Sequence, residues 1–185
     1  MSNEHLAPVA TMWPHPSIRE YWDSGKHATE GGTQPWVAAL LYGLVRAMDI
    51  RHVAELGCYL GATSAWLALA IEANGGGSLT LVDTQADWLQ QAAARVMALD
   101  LQKTALGTMN ERSLDFLAHM NPDTRLVFLD DDKAEIPAKL DALRALKLKE
   151  ALVAIHDMET INVPGALVLA TPVLHGTGLL GLVQV

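Results

Sequence analysis

Cysteine is almost absent: Cys58 is the only one in 185 residues. An intramolecular disulfide framework is therefore excluded, and a reducing compartment suits the chain. Positive charge is scarce as well. Thirteen Lys plus Arg against 21 Asp plus Glu leave a formal net charge of -8, and no basic stripe is present to receive a phosphate backbone, so nucleic acid is not an expected partner. Long apolar runs are missing too. The start, Met1-Ser2-Asn3-Glu4-His5, has neither the basic region nor the apolar segment of a signal peptide. The most apolar stretch, Val163 to Val185, is broken by Pro164, Gly165, Pro172, His175 and Gly176, which argues against a membrane span. A soluble, cytoplasmic protein is the expectation. Aromatic residues make up only 5%, yet 50% of the chain is hydrophobic, enough to bury one core in one globular domain. No repeat, low-complexity tract or linker divides it.

What is present alternates in type. The segment up to Gly32 mixes Pro8, Pro14, Pro16, Trp13, Trp22 and charges without a sustained period. It reads as an irregular N-terminal arm over residues 1–32, with one short helix and tryptophans packed onto the domain. Thr33-Gln34-Pro35 opens a helix, since proline is tolerated in the first turn, and Val37, Leu40, Leu41, Leu44 and Val45 continue it at helical spacing. Apolar runs at Arg51 to Leu56, Ser78 to Asp83, Thr104 to Thr108, Arg125 to Asp130 and Ala151 to Asp157 read as strands covered on both faces. Helical repeats lie between them, at Leu89, Ala93 and Val96 and again at Ile136, Leu140 and Leu143. The alternation predicts an α/β, Rossmann-like, doubly wound and mostly parallel sheet over residues 33–185. Two extended segments, Val168 to Leu174 and Leu179 to Val185, are joined by His175-Gly176-Thr177-Gly178 and predict an antiparallel hairpin at the end.

Ligands of such sheets bind beyond the carboxyl ends of the strands. The most informative stretch, Glu55-Leu56-Gly57-Cys58-Tyr59-Leu60-Gly61-Ala62-Thr63-Ser64, lies at one of these ends and reads as strand, glycine loop and helix. Its glycines do not have the G-x-G-x-x-G spacing of a dinucleotide loop, and the chain holds no G-x-x-x-x-G-K-[ST] phosphate loop. A nucleotide-like cofactor without a pyrophosphate fits better. Asp83 closes the second strand, where a carboxylate accepts two hydroxyl hydrogen bonds at once; capping of the helix that begins near Gln85 is the other reading of that residue.

An acidic residue, a glycine two positions on and a second glycine four further, as in Glu55, Gly57 and Gly61, resemble the class I S-adenosylmethionine-dependent methyltransferases. The resemblance implies a seven-stranded sheet with an antiparallel last strand. It also implies that Glu55, Gly57, Gly61 and Ser64 hold the methionine end of S-adenosylmethionine and that Asp83 binds both ribose hydroxyls. Arg112 and Ser113, after the third strand, would meet the adenine; a solvated turn before the helix Leu114 to His119 explains them equally well.

Asp130-Asp131-Asp132-Lys133 resembles the D-x-D-K segment of metal-dependent O-methyltransferases acting on catechols and caffeoyl thioesters, with a related pattern in the macrocin and rhamnosyl group. The resemblance implies that Asp130 contacts the cofactor and, with Asp157, binds a divalent cation, Mg²⁺ or Ca²⁺. The two strands should lie about 4.8 Å apart, and hard oxygen donors suit such ions. Met158 stands where the catechol and caffeoyl enzymes carry an asparagine ligand, and a thioether is a poor substitute. His156 either fills that vacancy, acts as a general base or simply pairs with a carboxylate; strand alternation points it away from Asp157 unless the chain turns. Asp131 and Asp132 also read as favouring a helix dipole, and Lys133 as a surface residue or a cation orienting the substrate. Asp130, His156 and Lys133 are thus the candidate catalytic residues. A small-molecule hydroxyl is the implied acceptor, and the short C-terminal section leaves the arm, with His27, Glu30 and Gln34, or a second subunit of a homo-oligomer to complete the pocket. A metal-assisted enzyme, a metal-independent one and a cofactor-binding protein without catalysis are the readings carried forward.

Overall fold

The computed structural model describes residues 15–23, 33–148, 150–157, 163–164, 166–173 and 176–185. A short helix, α1 (Pro16–Asp23), buries Ile18 against Ala62, Ala65 and Trp66. The arm is therefore tied to the domain. The side chain of Trp22, and Trp13, His27, Glu30, Met158 and His175 altogether, lie outside the described residues.

Helix α2 (Pro35–Ala47) starts with proline in its first turn and buries Val37, Ala38, Leu41 and Val45. The strands and helices that follow are β1 (His52–Leu56), α3 (Ala62–Ala73), β2 (Gly77–Val82), α4 (Ala86–Met97), β3 (Thr104–Met109), α5 (Ser113–Leu117) and β4 (Leu126–Leu129). A 3-10 turn at Lys133–Glu135 leads into α6 (Ile136–Ala145), and β5 (Leu152–Ile155), β6 (Leu167–Val173) and β7 (Gly176–Gln184) complete the chain. The helix signalled by Ile136, Leu140 and Leu143 begins only after that turn, because Asp132 caps the 3-10 turn through Ala134 N–H at 2.9 Å and Pro137 sits in the first turn of α6. Proline lacks the N–H that an uninterrupted helix needs there.

The strands form one sheet in the order β3-β2-β1-β4-β5-β7-β6, with β1 to β5 parallel and β7 antiparallel to β5 and β6. The central strands are the buried ones: β4 is buried throughout, and β1 and β5 are buried after their first residue. Alternate residues feed two cores. Val53, Leu79, Leu81 and Phe128 pack beneath α2, α3 and α4, while Ala54, Leu56, Val127 and Val153 pack beneath α5 and α6. The hairpin begins earlier than the glycines indicated. Gly176, Thr177 and Gly178 are already in β7, paired with Val173, Pro172 and Thr171, since glycine can follow a pleated ladder and Pro172 lies on the edge strand, where its missing N–H costs little.

The chain runs outward through β2 and β3, then returns to place β4 on the other side of β1. That reversal opens a crevice at the carboxyl ends of β1 and β4. Gly61, the N-cap of α3, has φ 77°, and a Cβ there would lie 2.6 Å from Ala92 Cα on α4. Gly61→Ala is expected to cost roughly 2–4 kcal/mol from a strained backbone and a collision. The thermal midpoint should fall by about 5–15 °C; an unchanged melting curve contradicts this packing.

Candidate functional site

The crevice is a cavity of about 470 Å³, walled by the loop after β1, by Asp83 and Trp88 beyond β2, by Arg112 and Ser113 at the start of α5, and by Asp130 beyond β4. Glu55, Asp83 and Asp130 all line it. Glu55 takes the place of an apolar residue on the face of β1 beneath α3, is buried, and accepts a 2.5 Å hydrogen bond from Ser64 Oγ. Burial pushes its carboxyl up to about 8; the Ser64 hydrogen bond opposes this, and the charges of Asp130 and Asp83 reinforce it.

Asp83 is held from two sides. Tyr59 N–H donates to Oδ2 at 3.1 Å, with the Cys58 thiol a long 4.0 Å from the same oxygen, and Gln85 N–H donates to Oδ1 at 2.9 Å, which fixes the carboxylate plane and leaves each oxygen able to accept a hydroxyl. Asn110 Nδ2 donates to the Asp83 carbonyl at 2.9 Å. Tyr59 adopts φ 45°, a costly conformation for a residue with a side chain. Its ring meets the half-exposed Trp88 edge to face, centroids 4.7 Å apart. Gly57 has φ 88°, and a Cβ there would lie 2.6 Å from the Asp130 carbonyl oxygen, so the two loops approach through it.

Asp130 is held by three side chains. Thr33 Oγ1 donates to Oδ2 at 2.7 Å, while Lys133 Nζ at 3.1 Å and His156 Nδ1 at 2.8 Å meet Oδ1. Burial pulls its pKa upward, but the His156 hydrogen bond and charge, then Lys133 and Thr33, outweigh that and hold the carboxyl below the usual range. His156 Nε2 lies 2.7 Å from Gln34 Oε1 and 3.3 Å from Asp157 Oδ1. Burial lowers the imidazole, yet the hydrogen bond and charge of Asp130, with the charge of Asp157, raise it overall. Strand β5 ends at Ile155 and Asp157 turns the chain with φ 54°, so His156 and Asp157 converge instead of pointing to opposite faces. One ligand atom from each of Asp130, His156 and Asp157 lies within 4.8 Å of the other two.

Residues 54–158 match a family model described as a methyltransferase domain, which spans more than half of the chain. The chain belongs to this methyltransferase family. A comparison with curated proteins finds no match. The methyltransferase is similar in fold to TomG, an O-methyltransferase of Streptomyces achromogenes involved in tomaymycin synthesis and solved with S-adenosylmethionine (19% identity, 92% of this chain and 90% of that one, TM-score 0.69). It is also similar to a candidate O-methyltransferase from Klebsiella pneumoniae (21%, 97% and 92%, TM-score 0.74), and to the Bacillus cereus O-methyltransferase solved with S-adenosylhomocysteine (19%, 97% and 93%, TM-score 0.70).

Within this methyltransferase fold, several sequence-selected residues share the cavity wall: Glu55, Gly57, Asp83, Arg112, Ser113 and Asp130. Gly61 and Ser64 are not in the lining; Gly61 admits α4, and Ser64 acts on Glu55. His156 and Lys133 are also outside it and meet the cavity through Asp130. Asp132 is a cap and Asp131 an ion-pair partner of Lys139. Cys58 is buried, and burial, Glu55 and Asp83 together push its thiol far up, so it is a packing residue and not a nucleophile. Trp88, Tyr59 and Thr33 are lining residues that the motifs did not select; the available signal was a tryptophan five residues after Asp83, in the first turn of α4. Among the described residues no helix is long and apolar enough to cross a membrane.

Proposed function

We propose that this methyltransferase uses S-adenosylmethionine to methylate a hydroxyl group of a small molecule. The observation that carries the reading is the convergence of Glu55, Asp83 and Asp130, from the ends of three adjacent strands, on one cavity. The cofactor carries a sulfonium and an ammonium group, and acidic walls suit both. The cavity volume lies in the range of small-molecule sites. Ala62 and Thr63, in the first turn of α3, line it as well, and helix N-termini expose N–H groups suited to a carboxylate. Asp83, already oriented by two backbone donors, offers its free lone pairs to a ribose diol, and Trp88 offers an aromatic face to a base.

Bound S-adenosylmethionine supplies the electrophilic methyl group. Asp130 orients the acceptor hydroxyl through the lone pair its three partners leave free, and the hydroxyl proton passes to solvent as the new carbon–oxygen bond forms and the carbon–sulfur bond breaks. Lys133 places a positive charge 3.1 Å from Asp130, which favours the acceptor's developing oxyanion. His156 holds Asp130 in place from behind, so it is a positioning residue in this scheme. Orientation of the two reactants supplies most of the acceleration.

Asp130→Asn is expected to lower turnover about 10²-fold, the scale of a lost orienting contact to the acceptor. S-adenosylhomocysteine affinity should change only a few-fold. The assay is transfer of label from S-adenosylmethionine to a panel of small hydroxyl compounds, with the homocysteine product measured in parallel. Full turnover by the variant would remove Asp130 from the chemistry.

One observation favours a metal-assisted version of the same reaction: the close approach of donors from Asp130, His156 and Asp157. Two carboxylates and an imidazole suit a divalent cation in donor type and number, and those three residues would hold it. When bound, it would lower the pKa of the acceptor hydroxyl. Chelator sensitivity, restored by added Mg²⁺ and lost in Asp157→Asn, supports that version; turnover indifferent to chelator supports the one in which Lys133 and His156 alone balance Asp130.

A further inference from the structure

Lys139, on α6, has no exposed surface. An ammonium withdrawn from water is costly unless charges of opposite sign stand close by. The charges that meet it belong to the loop after β4: Nζ lies 2.7 Å from Asp131 Oδ1 and 3.5 Å from Glu135 Oε2, and donates to the Asp132 carbonyl at 3.2 Å. Asp131, Asp132 and Glu135 line the cavity, whereas Lys139 does not.

The same two carboxylates are held from the opposite direction by the start of α5. Ser113 Oγ donates to Asp131, and the Arg112 guanidinium meets Glu135 at 2.5 Å. Each carboxylate thus bridges Lys139, on its inner side, and a cavity-lining residue of α5. The neighbouring core positions of α6, Ile136, Leu140 and Leu143, are apolar, so packing alone would be served by a methionine at position 139.

We propose that Lys139 is a positioning residue of the cofactor pocket: its buried ammonium anchors Asp131 and Glu135, which in turn fix Ser113 and Arg112 at the cavity wall. The inference rests on the reading of that cavity as the S-adenosylmethionine site. Lys139 touches neither reactant; it acts through the carboxylates. Without it Asp131 loses its inner counter-ion, and the wall that holds Ser113 is released.

The test is calorimetric titration of S-adenosylhomocysteine into the wild type, Lys139→Met, and the double variant Lys139→Met with Asp131→Asn. Lys139→Met is expected to weaken binding about 10-fold, a typical coupling for contacting charged groups, while the rate at saturating cofactor stays within about twofold of wild type. The double variant should return to within about threefold of wild type, because an asparagine at 131 still accepts from Ser113 and needs no buried cation. Binding by Lys139→Met equal to wild type overturns the proposal. So does a double variant no better than the single, the result expected of a purely packing role. If Lys139→Met yields no folded protein, the double variant decides alone: near-native affinity supports the proposal and a tenfold loss overturns it. A wild type that binds no S-adenosylhomocysteine at millimolar concentration overturns the underlying cofactor reading, whatever the variants do.

Discussion

Asp83→Ala is expected to weaken S-adenosylhomocysteine binding by about 10²- to 10⁴-fold. The estimate follows from two hydrogen bonds between ribose hydroxyls and a charged acceptor, each worth roughly 1.5–3 kcal/mol. The loss should appear as a collapse of the ligand-induced rise in melting temperature, since that rise follows from preferential binding to the folded state. Asp83 also accepts from Tyr59 and Gln85 backbone N–H groups, so the alanine variant frees the strained loop as well as the ribose. Asp83→Asn separates these effects. It keeps one carbonyl oxygen for the loop and removes the charge, and it should retain more apo stability than Asp83→Ala while still binding poorly. A ligand-induced shift in Asp83→Ala equal to that of wild type would exclude Asp83 from the ribose site.

The second large effect concerns pH. Glu55 has a folded-state pKa of about 8 against an ordinary value of 4.5. Between those two values the folded chain holds a proton that the unfolded chain releases. Glu55 therefore contributes stability in full below about pH 4.5, and this contribution is lost as pH rises toward 8, on the order of 3–5 kcal/mol over the window. Above pH 8 both states are ionised and the curve flattens. Glu55→Gln cannot titrate, so its stability relative to wild type should rise steadily from pH 5 to pH 8 in urea unfolding. Asp130 and His156 titrate in both proteins, so only the charge that Asp130 places near Glu55 leaves a part in the difference. Two parallel stability–pH curves would show that Glu55 is ionised in the folded protein, and would require a buried cation beside it.

Much of the architecture was legible because parallel strands buried on both faces are short apolar runs, and those runs end in the polar residues that line the cavity. Asp83 and Asp130 follow β2 and β4 directly, as the run lengths indicated. Less legible was anything that depends on how loops cross. The meeting of His156 with Asp157 needs a single left-handed residue after β5, which a period of two cannot foretell. Gly61 reads as a ligand-approach glycine, and nothing in the sequence signals that Ala92 on α4 also packs closely against it. Asp131 and Asp132 are adjacent and alike in sequence, yet one pairs with a buried lysine and the other caps a turn. Lys139 gave no signal at all, because a lysine within an amphipathic helix reads as solvated and its burial comes from the acidic loop closing over it. Gln34 and Thr33 precede the first long helix by sequence, but the fold returns β4 and β5 to them, so that they bond His156 and Asp130.

The central claim is that one cavity, bounded by Glu55, Asp83 and Asp130, holds S-adenosylmethionine beside an acceptor hydroxyl. The most direct test is a crystal structure of the protein with S-adenosylhomocysteine. The account predicts the ribose hydroxyls on the Asp83 carboxylate, the methionine end between Glu55 and Thr63, and the sulfur turned toward Asp130. Density for the ligand in another place, or none at saturating concentration, would contradict it.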